Sequence, residues 1–396
     1  MTFTDASAVD TLKAAADRAM MARNPRGAIA PFERALTMAP ERVELWIGLA
    51  ACRRAIGDPK GALTAIEGAL TADPRCFPAL LMQGSLLESL GFEHSAAVTY
   101  GNAITVAPPL EALNETSRQA LARAREVHGR YTEGMIASLK KAAGLGDAPP
   151  RSAEDRRIDT FIEAMAGRRK IYHQEPVRFH YPGLPAIEFF EREEFPWLES
   201  FESHFEAIRR ELVGVWAEGS PSLTPYVDYP DSMPLDQWRA LNHSLDWSVH
   251  HLLKDGEPVS DNCRQCPDTL AALSVVEQPH IPRRSPTAMF SILKAHTRIP
   301  PHTGVANTRL IVHLPLIVPE NCGFRVGGET RPWREGEAWV FDDTIEHEAW
   351  NGSDRPRAIL ICDVWNPRVS PDERDMIGLL MAALDDYVGG MRVGEF

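Results

Sequence analysis

The chain has 396 residues, which on a prior of roughly 150 residues per domain suggests two to three domains; 44% are hydrophobic and 24% charged, which excludes disorder over most of the length. The formal net charge is −13, and the whole excess lies beyond residue 150, so a nucleic-acid backbone would be repelled and is excluded as a partner. No apolar run approaches the roughly 20 residues of a membrane span, and the first fifteen residues show no basic stretch followed by an apolar one, so the expected location is cytoplasmic.

The N-terminal segment repeats itself at a period of 34 residues. That offset relates Ala28, Ala62 and Ala96; Ala35, Ala69 and Ala103; Leu36, Leu70 and Ile104; and Pro40, Pro74 and Pro108. It also places Gly57 over Gly91, with Arg23 in the same place of the first unit. Small residues let paired helices approach closely, glycine serves the turn between them, and proline closes each unit because it cannot continue a helix. This is the pattern of tetratricopeptide repeats: three units over residues 8–108, followed by one or two capping helices over 110–143. Residues 144–154 are rich in Gly, Pro and Ala and read as a linker.

From residue 155 the pattern changes. Helices are expected over 155–169 and 195–216, and His250-His251 as a solvated helix end. Beyond residue 285, short β-branched and aromatic runs alternate with Gly, Pro and Asn, at 288–293, 308–314, 323–326, 338–341 and 358–364. That rhythm implies a double-sheet jelly roll with helices packed on one side. The expected fold class is thus α+β in two domains. An all-α tetratricopeptide solenoid spans 1–143, and a double-stranded β-helix (jelly roll, cupin-like) with flanking helices spans 155–396.

Three side chains in the β-rich part point to chemistry. His302 precedes the run at 308–314, His347 follows the run at 338–341, and Arg357 heads the run at 358–364. Two histidines at strand ends can meet at one metal, and an arginine on a neighbouring strand can fork onto a carboxylate. The set suits a mononuclear Fe(II) centre with a dicarboxylate co-substrate. Asp342 and Asp343 lie five and four residues before His347, which is not the spacing of a third ligand; they read as turn formers or supporting groups. Glu346 and Glu348 are expected to point away from the site. Cys263 and Cys266 form a lone CxxC, expected to be a structural loop near the site's mouth rather than a zinc or redox pair.

The motifs Phe290-Ser291-Ile292-Leu293, His302-Thr303-Gly304, Asn307-Thr308-Arg309-Leu310, His313-Leu314-Pro315, Phe341-Asp342-Asp343, His347-Glu348-Ala349-Trp350-Asn351 and Asp363-Val364-Trp365 together resemble the aspartyl/asparaginyl β-hydroxylases, Fe(II)- and 2-oxoglutarate-dependent oxygenases. The resemblance covers about residues 170–367, and repeats ahead of the oxygenase domain are also similar to the animal enzyme. It implies iron held by His302 and His347, with 2-oxoglutarate, O₂ and water in the remaining positions. Gly304 stands where a His-x-Asp/Glu triad has its carboxylate, an absence this family is known for. The resemblance further implies that Arg357 takes the distal carboxylate of 2-oxoglutarate, assisted by Ser291 and His313, and that Arg309 faces the substrate. The animal enzyme carries another arginine two places on, where this chain has Ile311.

The function expected is hydroxylation of an aliphatic carbon, foremost the β-carbon of an Asp- or Asn-type residue in a peptide or protein docked by the repeats. The alternatives are a hydroxylase of a free amino acid, small molecule or lipid, and a non-catalytic repeat scaffold with a ligand-sensing jelly roll.

Overall fold

The computed structural model of the protein describes residues 3–146, 152–216, 223–230 and 232–388. They divide into two units, Met1–Ala166 and Gly167–Phe396.

The first unit is helical. Three helix pairs follow the 34-residue period: α1 (Phe3–Met21) with α2 (Pro25–Met38), α3 (Val43–Ala55) with α4 (Pro59–Ala72), and α5 (Phe77–Ser89) with α6 (Glu93–Thr105). Pro25 and Pro59 occupy the first positions of their helices, where a missing N–H costs nothing. Asn24 and Asp58 cap the same helices by accepting from the N–H groups of Gly27 and Gly61. All six repeat alanines are wholly buried, which fixes the close approach of the helices. Gly57 and Gly91 both turn at φ +79°, and Arg23 takes the same left-handed conformation at φ +56° in the first unit. The segment expected as one or two capping helices is a single long one, α7 (Glu115–Ala142). Helix α8 (Ala153–Met165) belongs to this unit and not to the second domain as its composition suggested, because it packs on α7; Lys140 Nζ lies 2.6 Å from Asp159. Residues 147–151 of the expected linker lie outside the described residues.

The second unit is built on two antiparallel sheets. Its strands are β1 (Thr224–Pro225), β2 (Trp247–Lys254), β3 (Glu257–Pro258), β4 (Ala288–Leu293), β5 (Thr297–His302), β6 (Arg309–Ile317), β7 (Cys322–Val326), β8 (Glu329–Arg331), β9 (Trp339–Phe341), β10 (His347–Asn351) and β11 (Arg357–Trp365). The larger sheet runs β1-β2-β4-β11-β6-β9, with β3 on β2; the smaller runs β5-β10-β7-β8.

Alternation along β6 and β11 decides what the larger sheet does on each face. Leu310, Val312, Leu314, Ala358, Leu360 and Val364 enter a core. It is shared with α9 (Leu198–Glu202), α10 (Phe205–Val215) and α12 (Pro267–Leu273), the last preceded by the short α11 (Ser260–Gln265). The residues between them, Arg309, Ile311, His313, Arg357, Ile359 and Ile361, therefore present the opposite face. There a second core joins Ile359 and Phe341 to Phe324, Val326 and Ala349 of the smaller sheet. Every side chain expected to do chemistry on these strands lies on that second face.

Several expectations need correction. The helix expected over 195–216 breaks at Ser203 into α9 and α10. His250 and His251 are no solvated helix end: they lie in β2, His250 wholly buried and stacked near Phe290. Cys263 and Cys266 sit in and just after α11, and Cys266 is buried in the helix-covered core, not at the mouth of the site. Burial pushes the Cys266 thiol up to about 12, so it stays protonated.

Helix α13 (Pro371–Tyr387) closes the unit. Arg284 and Asp385, 1% and 2% exposed, pair there at 2.6 Å, and Arg283 approaches the same carboxylate at 3.4 Å. Removing one partner of a buried pair strands the other charge, so Asp385→Ala is expected to cost about 3–5 kcal/mol of stability. Denaturant titration of the two proteins checks this; a loss below about 1 kcal/mol would show the pair to be solvent-compensated.

Candidate active site

His302 ends β5 and His347 begins β10, and the register of these two strands sets them directly opposite each other. Their ring centroids are 4.0 Å apart. Each ring donates its Nδ1–H to a carbonyl two residues earlier, His302 to Pro300 at 2.8 Å and His347 to Ile345 at 3.1 Å. Those bonds fix the tautomer and leave both Nε2 lone pairs for a ligand.

Burial holds His302 well below the usual histidine range and His347 down at about 4. Their folded pKa values lie below the unfolded value of about 6.5. The stability they support is therefore complete above that pH and lost as pH falls toward 4. For His347 alone the loss is ~2 kcal/mol by pH 5. Chelator-treated protein is expected to melt lower at pH 5 than at pH 7.5, with His347→Gln reducing the difference; a melting temperature independent of pH would contradict this.

The third place of a metal triad is physically filled. A β-carbon added at Gly304 would stand 2.1 Å from Asp343 Oδ2. Asp343 is buried, and its Oδ2 lies 3.5 Å from Arg309 Nη2. Asp342 is tied up elsewhere: it accepts from the Thr344 N–H and hydroxyl and from Gln174, and burial raises it to about 6. Glu346 and Glu348 turn away onto Arg325, at 2.9 and 2.6 Å. Gly304→Asp should therefore fail to complete a triad and should lower the melting temperature, since overpacking costs about 1–3 kcal/mol before like-charge repulsion is counted. Adding Asp343→Gly should restore stability; a stable single variant would disprove the steric conflict.

Near the histidines lies a buried guanidinium. Arg357 is 1% exposed, yet no carboxylate pairs with it among the described residues. Asp363, on the same strand, instead accepts from Gln278, Ser285 and Thr287. Arg357 Nη1 lies 3.3 Å from the Ser291 carbonyl and 3.5 Å from its hydroxyl, and the guanidinium stacks 4.9 Å above the Trp333 ring. Burial brings Arg357 down to about 10. The Nε of Arg357, Nδ1 of His313, and indole nitrogens of Trp333 and Trp339 are all buried without a partner among the described residues. Native interiors leave few such groups unsatisfied, so their convergence marks a ligand position. A buried cation and several orphaned nitrogens fit the carboxylate end of a keto-diacid.

Expected residues thus fall into two groups. His302 faces His347, Ser291 touches Arg357, and His313 lies within electrostatic reach of both His347 and Arg357, whereas Arg309 stands with Asp343 beside Gly304. Four further side chains were not anticipated. Trp247 donates to the Ser291 hydroxyl at 3.1 Å, Trp238 meets the His302 ring edge-on at 5.1 Å, Tyr226 stacks on Trp247 at 3.8 Å, and Trp333 carries Arg357. Trp333 and Trp238 lie outside regular strands, where no periodicity could mark them.

The model of the family described as Aspartyl/Asparaginyl beta-hydroxylase matches residues 202–367, and a tetratricopeptide repeat model matches residues 19–83. The aspartyl/asparaginyl beta-hydroxylase of Mus musculus is 33% identical over 180 residues, 45% of this chain and 24% of that protein. The ornithine lipid ester-linked acyl 2-hydroxylase of Rhizobium tropici is 34% identical over 200 residues, 50% of this chain and 67% of that protein. The human aspartate beta-hydroxylase domain-containing protein 2 is 30% identical over 213 residues, 53% of this chain and 55% of that protein. This chain thus spans about a quarter of the length of the mouse relative and about half that of the human one. With a buried histidine pair and these matches, the chain belongs to the aspartyl/asparaginyl β-hydroxylase family, with tetratricopeptide repeats at its N-terminal side.

Proposed function

We propose that this chain is an Fe(II)- and 2-oxoglutarate-dependent dioxygenase that hydroxylates an aliphatic carbon. The observation that carries the reading is the facing pair of neutral imidazoles beside a buried arginine that has no carboxylate partner among the described residues. Enzymes of this family typically depend on these two co-reactants. Bound ferrous iron would couple oxidative decarboxylation of 2-oxoglutarate to insertion of one oxygen atom into a C–H bond.

The protein's own contributions follow from its residues. His302 and His347 offer two preset Nε2 donors, because the Pro300 and Ile345 carbonyls hold their Nδ1 protons. Arg357 would receive the distal carboxylate of the co-substrate, with the Ser291 hydroxyl and His313 Nδ1 as further donors. Trp247 and Trp333, both buried, cover the Ser291–Arg357 contact and lower the dielectric around it, which strengthens each charged contact. Asp343, lodged against Gly304, keeps a third side-chain ligand from position 304.

The repeats support a protein or peptide partner. The β-carbon of an Asp- or Asn-type residue is the target that the mammalian relatives' names suggest, and an acyl chain the one that the bacterial relative's name suggests. The test of the shared chemistry is formation of succinate from 2-oxoglutarate in the absence of any added substrate. It is expected to require added Fe(II) and O₂; no iron-dependent succinate would reject the proposal. The scaffold alternative predicts binding of 2-oxoglutarate without turnover.

A further inference from the structure

We infer that the group oxidised is an uncharged, aliphatic one, seated on Ile311 and Ile361 and walled by Trp238 and Tyr226. This rests on the oxygenase reading and narrows its substrate.

The floor carries the inference. Ile311 on β6 and Ile361 on β11 lie in central strands of the larger sheet, on the face that looks toward the histidines. Ile361 is opposite His313 in the register, and Ile311 is opposite Asp363, so the two isoleucines are diagonal neighbours. The residues just before them in the chain, Leu310 and Leu360, point to the helix-covered face and are wholly buried, whereas Ile311 and Ile361 are each partly exposed. Both isoleucines pack, half-buried, on the apolar cluster that holds Phe341; Ile311 is opposite Phe341 in the register, and the Phe341 ring lies 5.7 Å from that of His347.

Trp238 packs on the same apolar cluster as the two isoleucines. Trp238 is only partly buried and lies against the ligand His302; its loop is held there by Gln237 Nε2 donating to the Pro301 carbonyl at 2.9 Å. Tyr226, stacked on Trp247, is 41% exposed. The charges oppose a carboxylate substrate. Of the two guanidiniums on this face of β6 and β11, Arg357 belongs to the co-substrate and Arg309 already faces Asp343. A substrate carboxylate would have to displace that buried pairing or enter without a counter-charge, and either is costly. An aliphatic group gains by covering the isoleucines.

One chemistry has two sources here, an aliphatic side chain of a peptide and a fatty acyl chain, and the test separates them. The full-length protein is titrated, with Mn(II) and 2-oxoglutarate and again without either, with three uncharged or singly charged probes: N-acetyl-leucine methylamide, N-methyloctanamide and N-acetyl-aspartate methylamide. At least one aliphatic probe is expected to bind roughly tenfold more tightly than the aspartyl probe. That preference is expected to be lost in Ile361→Asn and kept within about threefold in Ile361→Val, melting temperatures reporting that each variant is folded. Mass spectrometry after turnover with iron then shows which aliphatic source gains an oxygen. Equal or tighter binding of the aspartyl probe overturns the inference, as does an aliphatic affinity unchanged in a folded Ile361→Asn protein, or binding of none of the probes. Iron-dependent succinate formation by the same preparation without substrate keeps such a failure distinct from failure of the oxygenase reading.

Discussion

His347→Ala is expected to abolish iron-dependent succinate formation and to weaken Fe(II) or Mn(II) binding by at least about 100-fold. Changes around a metal ligand already cost roughly 10–100-fold, and here the ligand is one of only two imidazoles. The reason lies in the strand register: His347 and His302 face each other across β10 and β5, so either ring alone offers a single nitrogen. His302→Ala should behave in the same way. Metal titration followed by succinate assay checks both, and retained turnover in either variant would remove the assignment.

Arg357→Ala is expected to raise the KM for 2-oxoglutarate by one to two orders of magnitude, because a charge-assisted hydrogen bond contributes about 1.5–3 kcal/mol. Arg357→Lys keeps the charge but not the fork and should fall between. Stability should move differently. Arg357 is a buried guanidinium with an unpartnered Nε and no counter-carboxylate among the described residues, so the Ser291 contacts and the Trp333 ring offset its desolvation only in part in the ligand-free protein. Arg357→Met is therefore expected to melt no lower than the parent without co-substrate, while losing the stabilisation that added 2-oxoglutarate gives the parent. An unchanged KM, or a large loss of ligand-free stability, would assign Arg357 to structure instead.

Much of the architecture was readable because it rests on short-range rules. The 34-residue period placed all three helix pairs, since each repeated alanine, glycine and proline has a steric duty at its own position. Strand β4 was placed residue for residue, and β6, β7, β9 and β11 within a few residues, because alternation or a wholly apolar run marks them. Strands β1, β2, β3, β5, β8 and β10 were missed. β5 carries Pro300-Pro301, which is tolerable only because it is an edge strand of its sheet. β10 mixes His, Glu and Trp, so its pattern is masked by the salt links of Glu348 to Arg325. Strands β5 and β10 are the ones that bring the histidines face to face, so the pairing was expected from the neighbouring runs at 308–314 and 338–341 and from the family motifs, not from the pattern of the two strands themselves.

The site divides along similar lines. Polar residues in motifs, His302, His347 and Arg357, stood out. The aromatic side chains that enclose them did not, because an isolated Trp at a loop position looks the same whether it fills a core or borders a ligand. The conflict between Gly304 and Asp343 is likewise invisible in one dimension, since the two residues are 39 positions apart and meet only when Gly304 N–H bonds the Asp343 carbonyl. The misplaced boundary near residue 155 has the same origin: α8 has a polar, linker-like start, and only its packing on α7 assigns it to the helical unit.

The most direct measurement is the visible charge-transfer absorption that forms when a 2-oxo acid chelates protein-bound Fe(II), recorded without oxygen. It is expected in the parent protein only when Fe(II) and 2-oxoglutarate are both present, to be absent from His302→Ala and His347→Ala, and to require far more 2-oxoglutarate in Arg357→Ala. No such absorption in the parent, or the same absorption in a protein lacking both histidines, would contradict a two-histidine iron site beside an arginine-held keto-diacid.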